Sequence, residues 1–471
     1  MKIIQFITVL LCLGQASIAQ KIFTKSELKK DFSIIRAALQ EAHPGLYRYR
    51  TKQQITTAFE QTESRLNKDM TELEFYRIVN PMIAYLADGH TKFHRQKRPD
   101  DHFAFFEQGY FPLKLHFRKD KAYILKSFSD PSFPYAGCEL KSINGKAISE
   151  IKSLLFQNIF SDADGETFKY QELNQTFSGY YAEVLGDKNV FDIQLIDKTG
   201  KPKGISVRSA AATAFPRFIP LEPIYSLIYP SAKVALMRIP VFQEKEGLQK
   251  YEDFLASAFK NIKDKSINSL IIDLRDNEGG TDAFGFKLYA YLTAMPFRYY
   301  DRFTVAGKPD YSFSEYAWLP PELAYLKQFI VKKGNEYLFT QKEGLGLQTP
   351  QPNPYTGKLI VLVNGRSFSV TSEFAAIVKD NRRAMLVGEE TGGGYTGNSS
   401  GGFAMVTLPN TKLGLDVPLL GYYMHLKNPT ATAKGVPVEL NINPTIQQIL
   451  TGEDVVLRQA LILAKSLPKS Q

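Results

Sequence analysis

The sequence predicts an α/β protein with a mixed sheet, preceded by a helical cap and a small β domain. Three observations carry this. From Tyr229 onward, buried-strand runs such as Ser269-Leu270-Ile271-Ile272-Asp273-Leu274 and Leu359-Ile360-Val361-Leu362-Val363 alternate with helical periodicity. Before that, Phe105 to Ser209 reads as short alternating strands. The first stretch after the N-terminus, Lys25 to about Leu86, is helical throughout.

In order along the chain, Lys2, the apolar run Ile3 to Leu13 and Ser17-Ile18-Ala19 have the pattern of a secretory signal, with cleavage expected after Ala19. The run is short for a bilayer span, and a periplasmic or secreted protein is expected. Cys12 leaves with the signal, so Cys138 remains alone and no internal disulfide is expected. The cap, 20–104, begins with Leu28, Phe32, Ile35, Leu39 and Ala42 at helical spacing before the breaker His43-Pro44-Gly45. A second helix is expected from about Lys52 to Asn67, and Thr71 with Glu74 marks a capping box for a third.

The β domain, 105–210, has its most informative segment at Ala136 to Lys146. There a strand, an Asn144-Gly145 hairpin turn and a helix from Ile148 resemble the centre of a PDZ domain, a module that takes chain ends by strand addition. Phe160 to Asp187 fits that pattern poorly and reads as an insertion. The α/β core, 211–471, contains strands at Val234 to Ile239, 269–274, 359–363, Ala384 to Val387, Met405 to Leu408 and Leu413 to Val417. Its helices are expected at Leu248 to Asn261, Phe284 to Leu292, Glu373 to Lys379 and Glu453 to Lys465. The Pro/Tyr-rich section 297–342 has no clear period and reads as a lid or an oligomer contact.

A chain of 471 residues is long enough for several cores. Its net charge of +10 is interspersed with acids apart from a basic cluster at His94-Arg95-Gln96-Lys97-Arg98, so a solvated surface is expected and no nucleic-acid partner. No His/Cys/Asp cluster has metal-ligand spacing, and the glycine-rich segments lack the lysine of a phosphate loop, so no cofactor is implied.

Three constellations carry chemistry. Asp273-Leu274-Arg275-Asp276-Asn277-Glu278-Gly279-Gly280 follows a buried strand, and its glycines allow the free N–H groups that an oxyanion hole needs. Ser369 follows another strand and a tight turn, amid Ser367, Thr371 and Ser372. That pattern fits a nucleophile at a helix N-terminus and equally a plain N-cap. Asp88-Gly89-His90 lies at the end of the cap. His425, near the end of the sheet domain, is a rival base.

Together these motifs resemble the C-terminal-processing-peptidase and tricorn-core family of serine peptidases, family S41, which also includes retinoid-binding-protein repeats. The resemblance rests on Asp273 to Gly280, Asn364 to Ser369, Lys379 to Ala384 and Gly388 to Gly394, in that order. It implies a ClpP/crotonase-like core and an acyl-enzyme on Ser369. It implies oxyanion donors at Gly279, Gly280 and Val370, and peptide or protein substrates; whether the chain forms a homo-oligomer stays open in the sequence. The processing branch keeps a lysine base where this chain has Gly394, and no lysine lies between Lys379 and Lys412. The tricorn-like branch uses an upstream histidine, whose position Asp88-Gly89-His90-Thr91 resembles. Its glutamate has no counterpart before Gly435-Val436-Pro437-Val438-Glu439, so Glu390, Asp88 and Glu439 are the candidate acids. The incomplete triad keeps two rivals in view: a non-catalytic peptide- or ligand-binding member of the same fold, and an acyl hydrolase for non-peptide substrates.

Overall fold

The computed structural model describes residues 21–95, 105–216, 221–429 and 434–466. The expected signal, with Cys12 and Ala19, lies outside them, as do most of the basic cluster, His102 and residues 431–433.

Three helices open the chain: α1 (Lys25–Ala42), α2 (Lys52–Arg65) and α3 (Glu72–Tyr85). Each starts in a threonine capping box, including the expected Thr71–Glu74 pair, in which Glu74 N–H donates to Thr71 Oγ1 at 3.2 Å. Beyond His90 the chain forms strand β1 (Lys92–Arg95). The β domain follows as β2 (Leu113–Arg118), β3 (Lys121–Ser127), β4 (Glu139–Ile143), α4 (Ile148–Phe156), α5 (Thr167–Leu185), β5 (Val190–Ile196) and β6 (Pro202–Arg208). Its sheet order is β2-β3-β4-β5-β6, antiparallel, with the short strand Lys146–Ala147 folded back on β4. The turn between them is Asn144-Gly145, both with positive φ, as expected for a two-residue hairpin. The insertion is mostly α5, which has a break at Thr176, where φ is −132° and ψ is 27°.

The remaining strands and helices are β7 (Ser226–Ser231), β8 (Val234–Arg238), α6 (Tyr251–Asp264), β9 (Ser269–Asp273), α7 (Asp282–Ala290), β10 (Tyr300–Val305), β11 (Ile330–Lys333), β12 (Glu336–Phe339), β13 (Lys358–Val363), α8 (Val370–Asp380), β14 (Met385–Gly388), β15 (Ser399–Thr407), β16 (Leu413–Met424), β17 (Leu440–Asn441) and α9 (Val455–Lys465). One sheet runs β7-β8-β9-β13-β14-β17 and is parallel apart from the β7–β8 pair. Alternate residues of its strands face opposite layers. Ala235, Ile272 and Val361 pack with α6, α7 and α8, whereas Leu236, Ile271 and Ile360 pack with Val456 and Ala460 of α9.

A second, seven-stranded sheet contains β15, β16, β10, β12 and β11 in that order, with Ala317–Trp318 at one edge and β1 paired to β16. The unperiodic section 297–342 therefore belongs to a sheet. Its strands are short, and those at the edge are half-exposed, so they show neither a helical nor an alternating apolar pattern. The cap helices share one core with β15 and β16, including Ala404, Val406, Leu415 and Val417. Asp31 of α1 is buried and accepts hydrogen bonds from both N–H and side chain of Asn410 and of Thr411, which fastens α1 to the β15–β16 turn.

Candidate active site

The parallel strands β9 and β13 lie side by side in register, and the two predicted loops leave their carboxyl ends together. After β13 the chain turns through Asn364 to Ser369 and enters α8. Ser367 Oγ donates to Leu274 O at 2.9 Å and accepts Asn364 N–H at 3.0 Å, while Phe368 N–H donates to Asn277 O at 3.1 Å. These bonds hold Ser369 at φ 51° and ψ −127°, a conformation that costs a non-glycine residue about 1–3 kcal/mol. Its side chain makes no capping hydrogen bond. Ser367 and Ser372 behave otherwise, since Ser372 Oγ donates back to Ser367 O at 2.8 Å and Ser367 Oγ is bound to Leu274 O. Among these hydroxyls, Ser369 alone combines an uncapped side chain with a strained elbow, the combination that presents a nucleophile above a sheet.

Gly279 lies directly against this elbow. Its φ is +102°, and a Cβ there would stand 2.7 Å from the Cβ of Ser369. Its N–H, expected to face an oxyanion, donates instead to Asn277 Oδ1 at 2.9 Å. That donor is committed to shaping the loop. Among the described residues nothing accepts the N–H of Gly280 or of Val370, which leaves those two of the three predicted donors.

His90 approaches from the cap. Asp88 Oδ1 accepts the N–H of His90 and of Thr91, each at 3.0 Å, which closes a tight turn. Asp88 Oδ2 faces His43 Nε2 at 3.5 Å, and His43 Nδ1 accepts Gly45 N–H, so His43 supports the turn as a buried structural residue. The His90 ring packs on Phe368, the residue before Ser369, with ring centres 5.1 Å apart, and on Phe403 at 6.3 Å. Gly89 has no room for a side chain, because a Cβ would meet Phe368 at 2.2 Å. Burial pushes His90 down to about 4, opposed by the charge of Asp88. Its Nδ1 is buried and makes no hydrogen bond.

Glu439 binds Lys379 at 2.5 Å and accepts Leu386 N–H at 2.7 Å along β14. Glu390 is raised by burial, with the Lys434 charge and Gly435 N–H opposing. His425 is at the surface, 3.9 Å from Asp301, with a side chain 48% exposed. Of the residues singled out by motif, the structure sets His90 against Phe368, the neighbour of Ser369, and the Gly279 backbone against Ser369 itself, while Glu439 is bound along β14 and His425 lies at the surface.

A residue that no motif marked joins these parts. Asp162, buried in the insertion, accepts Gly89 N–H at 2.8 Å with one oxygen and Gly394 N–H at 3.1 Å with the other. Burial and then the Asp88 charge push its carboxyl up to about 7. It ties the histidine turn to the glycine-rich loop, at the position where the processing branch carries its lysine. Asp162→Ala leaves two buried N–H groups without acceptors, and unfolding in urea is expected to show a loss of about 2–4 kcal/mol. A variant of unchanged stability would show that the two loops hold their places without it. Glu373 of α8 was equally silent in sequence. It is buried, accepts Asn398 Nδ2 and Tyr300 Oη at 2.7 Å each, and is raised by burial to about 7. Among the described residues no group of three or more His, Cys, Asp or Glu could hold a metal ion, and no helix is long and apolar enough to cross a membrane.

Residues 233–442, which span the parallel sheet and Ser369, match the model of peptidase family S41. A protein of Chlamydia trachomatis serovar D is 25% identical over 255 residues, covering 45% of this chain and 41% of the relative. An uncharacterised protein of Chlamydia muridarum is 28% identical over 223 residues, covering 38% and 36%. The match thus spans about two fifths of the length of these relatives. The solved structure of mature CPAF complexed with lactacystin superposes with a TM-score of 0.66 at 18% identity, covering 94% of this chain and 98% of that one, a likeness of fold. With the motifs in order on this fold, residues 233–442 of the chain are similar to peptidase family S41.

Proposed function

We propose that the chain is an exported endopeptidase that cleaves peptide bonds through an acyl-enzyme on Ser369. The observation that carries this reading is the strained, uncapped Ser369 elbow packed through Phe368 against His90. Ser369 Oγ attacks the scissile carbonyl carbon while His90 takes its proton through Nε2, the ring nitrogen opposite the buried Nδ1. The N–H groups of Gly280 and Val370 stabilise the oxyanion. Collapse expels the amine, which receives the proton from His90. Water, activated by the same ring, then releases the acyl group. Burial disfavours the transient imidazolium, and the charges of Asp88 and Asp282 offset that only in part, so His90 acts as a weak, slower base.

The β domain serves in this reading as a PDZ-like holder of a substrate chain end, beside a ClpP/crotonase-like core. The N-terminal signal directs export. A fluorophosphonate probe tests the reading without mutation: mass spectrometry should find one adduct, on the peptide containing Ser369, formed more slowly in the presence of a peptide substrate. No adduct, or one elsewhere, favours the non-catalytic binding protein. An adduct on Ser369 with turnover of esters but not peptides favours the acyl hydrolase.

A further inference from the structure

The side chain three residues before the nucleophile has two anionic partners on different parts of the molecule. Arg366 Nη1 donates to Glu172 Oε1 of α5 at 2.7 Å, and Nη2 donates to Glu278 Oε1. Glu278 precedes Gly279, whose backbone abuts Ser369, and Gly280, whose N–H is one of the proposed oxyanion donors. The Arg366 and Glu172 side chains are only 14% and 10% exposed. A guanidinium is suited to such a bridge because its planar fork serves two carboxylates at once.

Glu172 extends the connection. Its other oxygen accepts Tyr180 Oη at 3.2 Å, and Tyr180 is a buried member of the β-domain core, with Phe177 and Tyr181. The break in α5 at Thr176 falls between Glu172 and Tyr180. The half before the break faces the catalytic loops: Thr167 Oγ1 donates to Thr391 O at 3.2 Å, and Gln171 Nε2 donates to Glu389 Oε2 at 2.8 Å. The half after it belongs to the β domain, where Ser178 Oγ donates to Phe111 O at 2.7 Å.

We propose that Arg366 is a positioning residue through which α5 of the β domain sets the oxyanion loop beside Ser369. The chain of contacts is Tyr180, Glu172, Arg366, Glu278, then Gly279 and Gly280. A shift of the β domain is felt at the loop that carries an oxyanion donor, so the domain that holds substrate tunes the chemical step. This rests on the assignment of Ser369 as nucleophile, and coupling along such a chain needs a direct energetic test.

The test is steady-state kinetics on a peptide substrate with melting temperatures for Arg366→Ala, Arg366→Lys, Glu172→Gln and Tyr180→Phe. Arg366→Ala is expected to lower kcat about tenfold or more, a part of the effect of losing an oxyanion donor outright, with KM within about twofold. Arg366→Lys, which keeps the charge but not the fork, should recover part of it. Tyr180→Phe removes one hydroxyl in the β-domain core and should lower kcat in the same sense, an effect that disappears when Arg366 is already alanine. A kcat within about twofold of wild type in Arg366→Ala, or a change confined to KM, overturns the proposal. Should Arg366→Ala fail to fold, Glu172→Gln and Tyr180→Phe decide, and normal kcat in both overturns it. Peptide turnover by wild type that Ser369→Ala abolishes keeps the nucleophile assignment standing whatever these variants do. Turnover that survives Ser369→Ala removes that assignment, and the proposal with it.

Discussion

Ser369→Ala is expected to abolish measurable peptide hydrolysis, a fall in kcat of about a millionfold, while leaving folding stability almost unchanged. Both halves follow from the elbow. A serine that caps a helix accepts a first-turn N–H, and its replacement by alanine costs about 1 kcal/mol. The Ser369 side chain makes no such bond, and alanine meets the same backbone strain at φ 51°. Urea denaturation beside kinetics separates the roles. A variant that keeps its turnover and loses about 1 kcal/mol would make Ser369 a cap and end the nucleophile assignment.

His90→Ala is expected to lower kcat by about 10⁴-fold, at the upper end for loss of a general base, because among the described residues no other histidine packs on Phe368, the neighbour of Ser369. The pH profile of wild type tests the same residue independently. Burial holds His90 down to about 4, below the ordinary 6.5. A base acts in its neutral form, so kcat/KM should stay level as the pH falls from 7 towards 5 and drop only near 4. An acid limb near 6.5 would mean that the working base is not this buried ring. Stability runs with the same sign. Between 6.5 and about 4 the unfolded chain binds a proton on His90 that the folded chain refuses, so the His90 contribution to stability declines over that interval as the pH falls.

The parts of this arrangement that were legible in sequence are those encoded locally. Apolar runs such as Leu359 to Val363 marked the central strands, and the glycines after Asp273 marked a loop of close backbone approach. His90 could be singled out because its motif sits at the end of the cap. What stayed hidden depends on distant partners. Asp162 lies in an unremarkable Ser-Asp-Ala-Asp-Gly stretch, and it matters because its partners, Gly89 and Gly394, are 73 and 232 residues away. Arg366 is one more basic residue until α5 and the Glu278 loop converge on it. The absence of a capping bond at Ser369 goes with one pair of backbone angles that composition cannot reveal. The choice among the candidate acids was hidden for the same reason: an acid is oriented towards a histidine by tertiary packing, and Glu439 is held by Lys379 and Leu386 N–H.

The pairing of β1 with β16 has a consequence for the order in which the molecule comes into being. Lys92, two residues after His90, is opposite Asp416, and Asp162 waits for Gly394. Contacts of such separation form late, because the loops they close are long. During synthesis the histidine leaves the ribosome well before the strand that anchors its neighbours. A nascent chain thus carries both reactive side chains without the surface that unites them. The surface that sets His90 against Phe368 is complete only once β16 has been made, by topology alone.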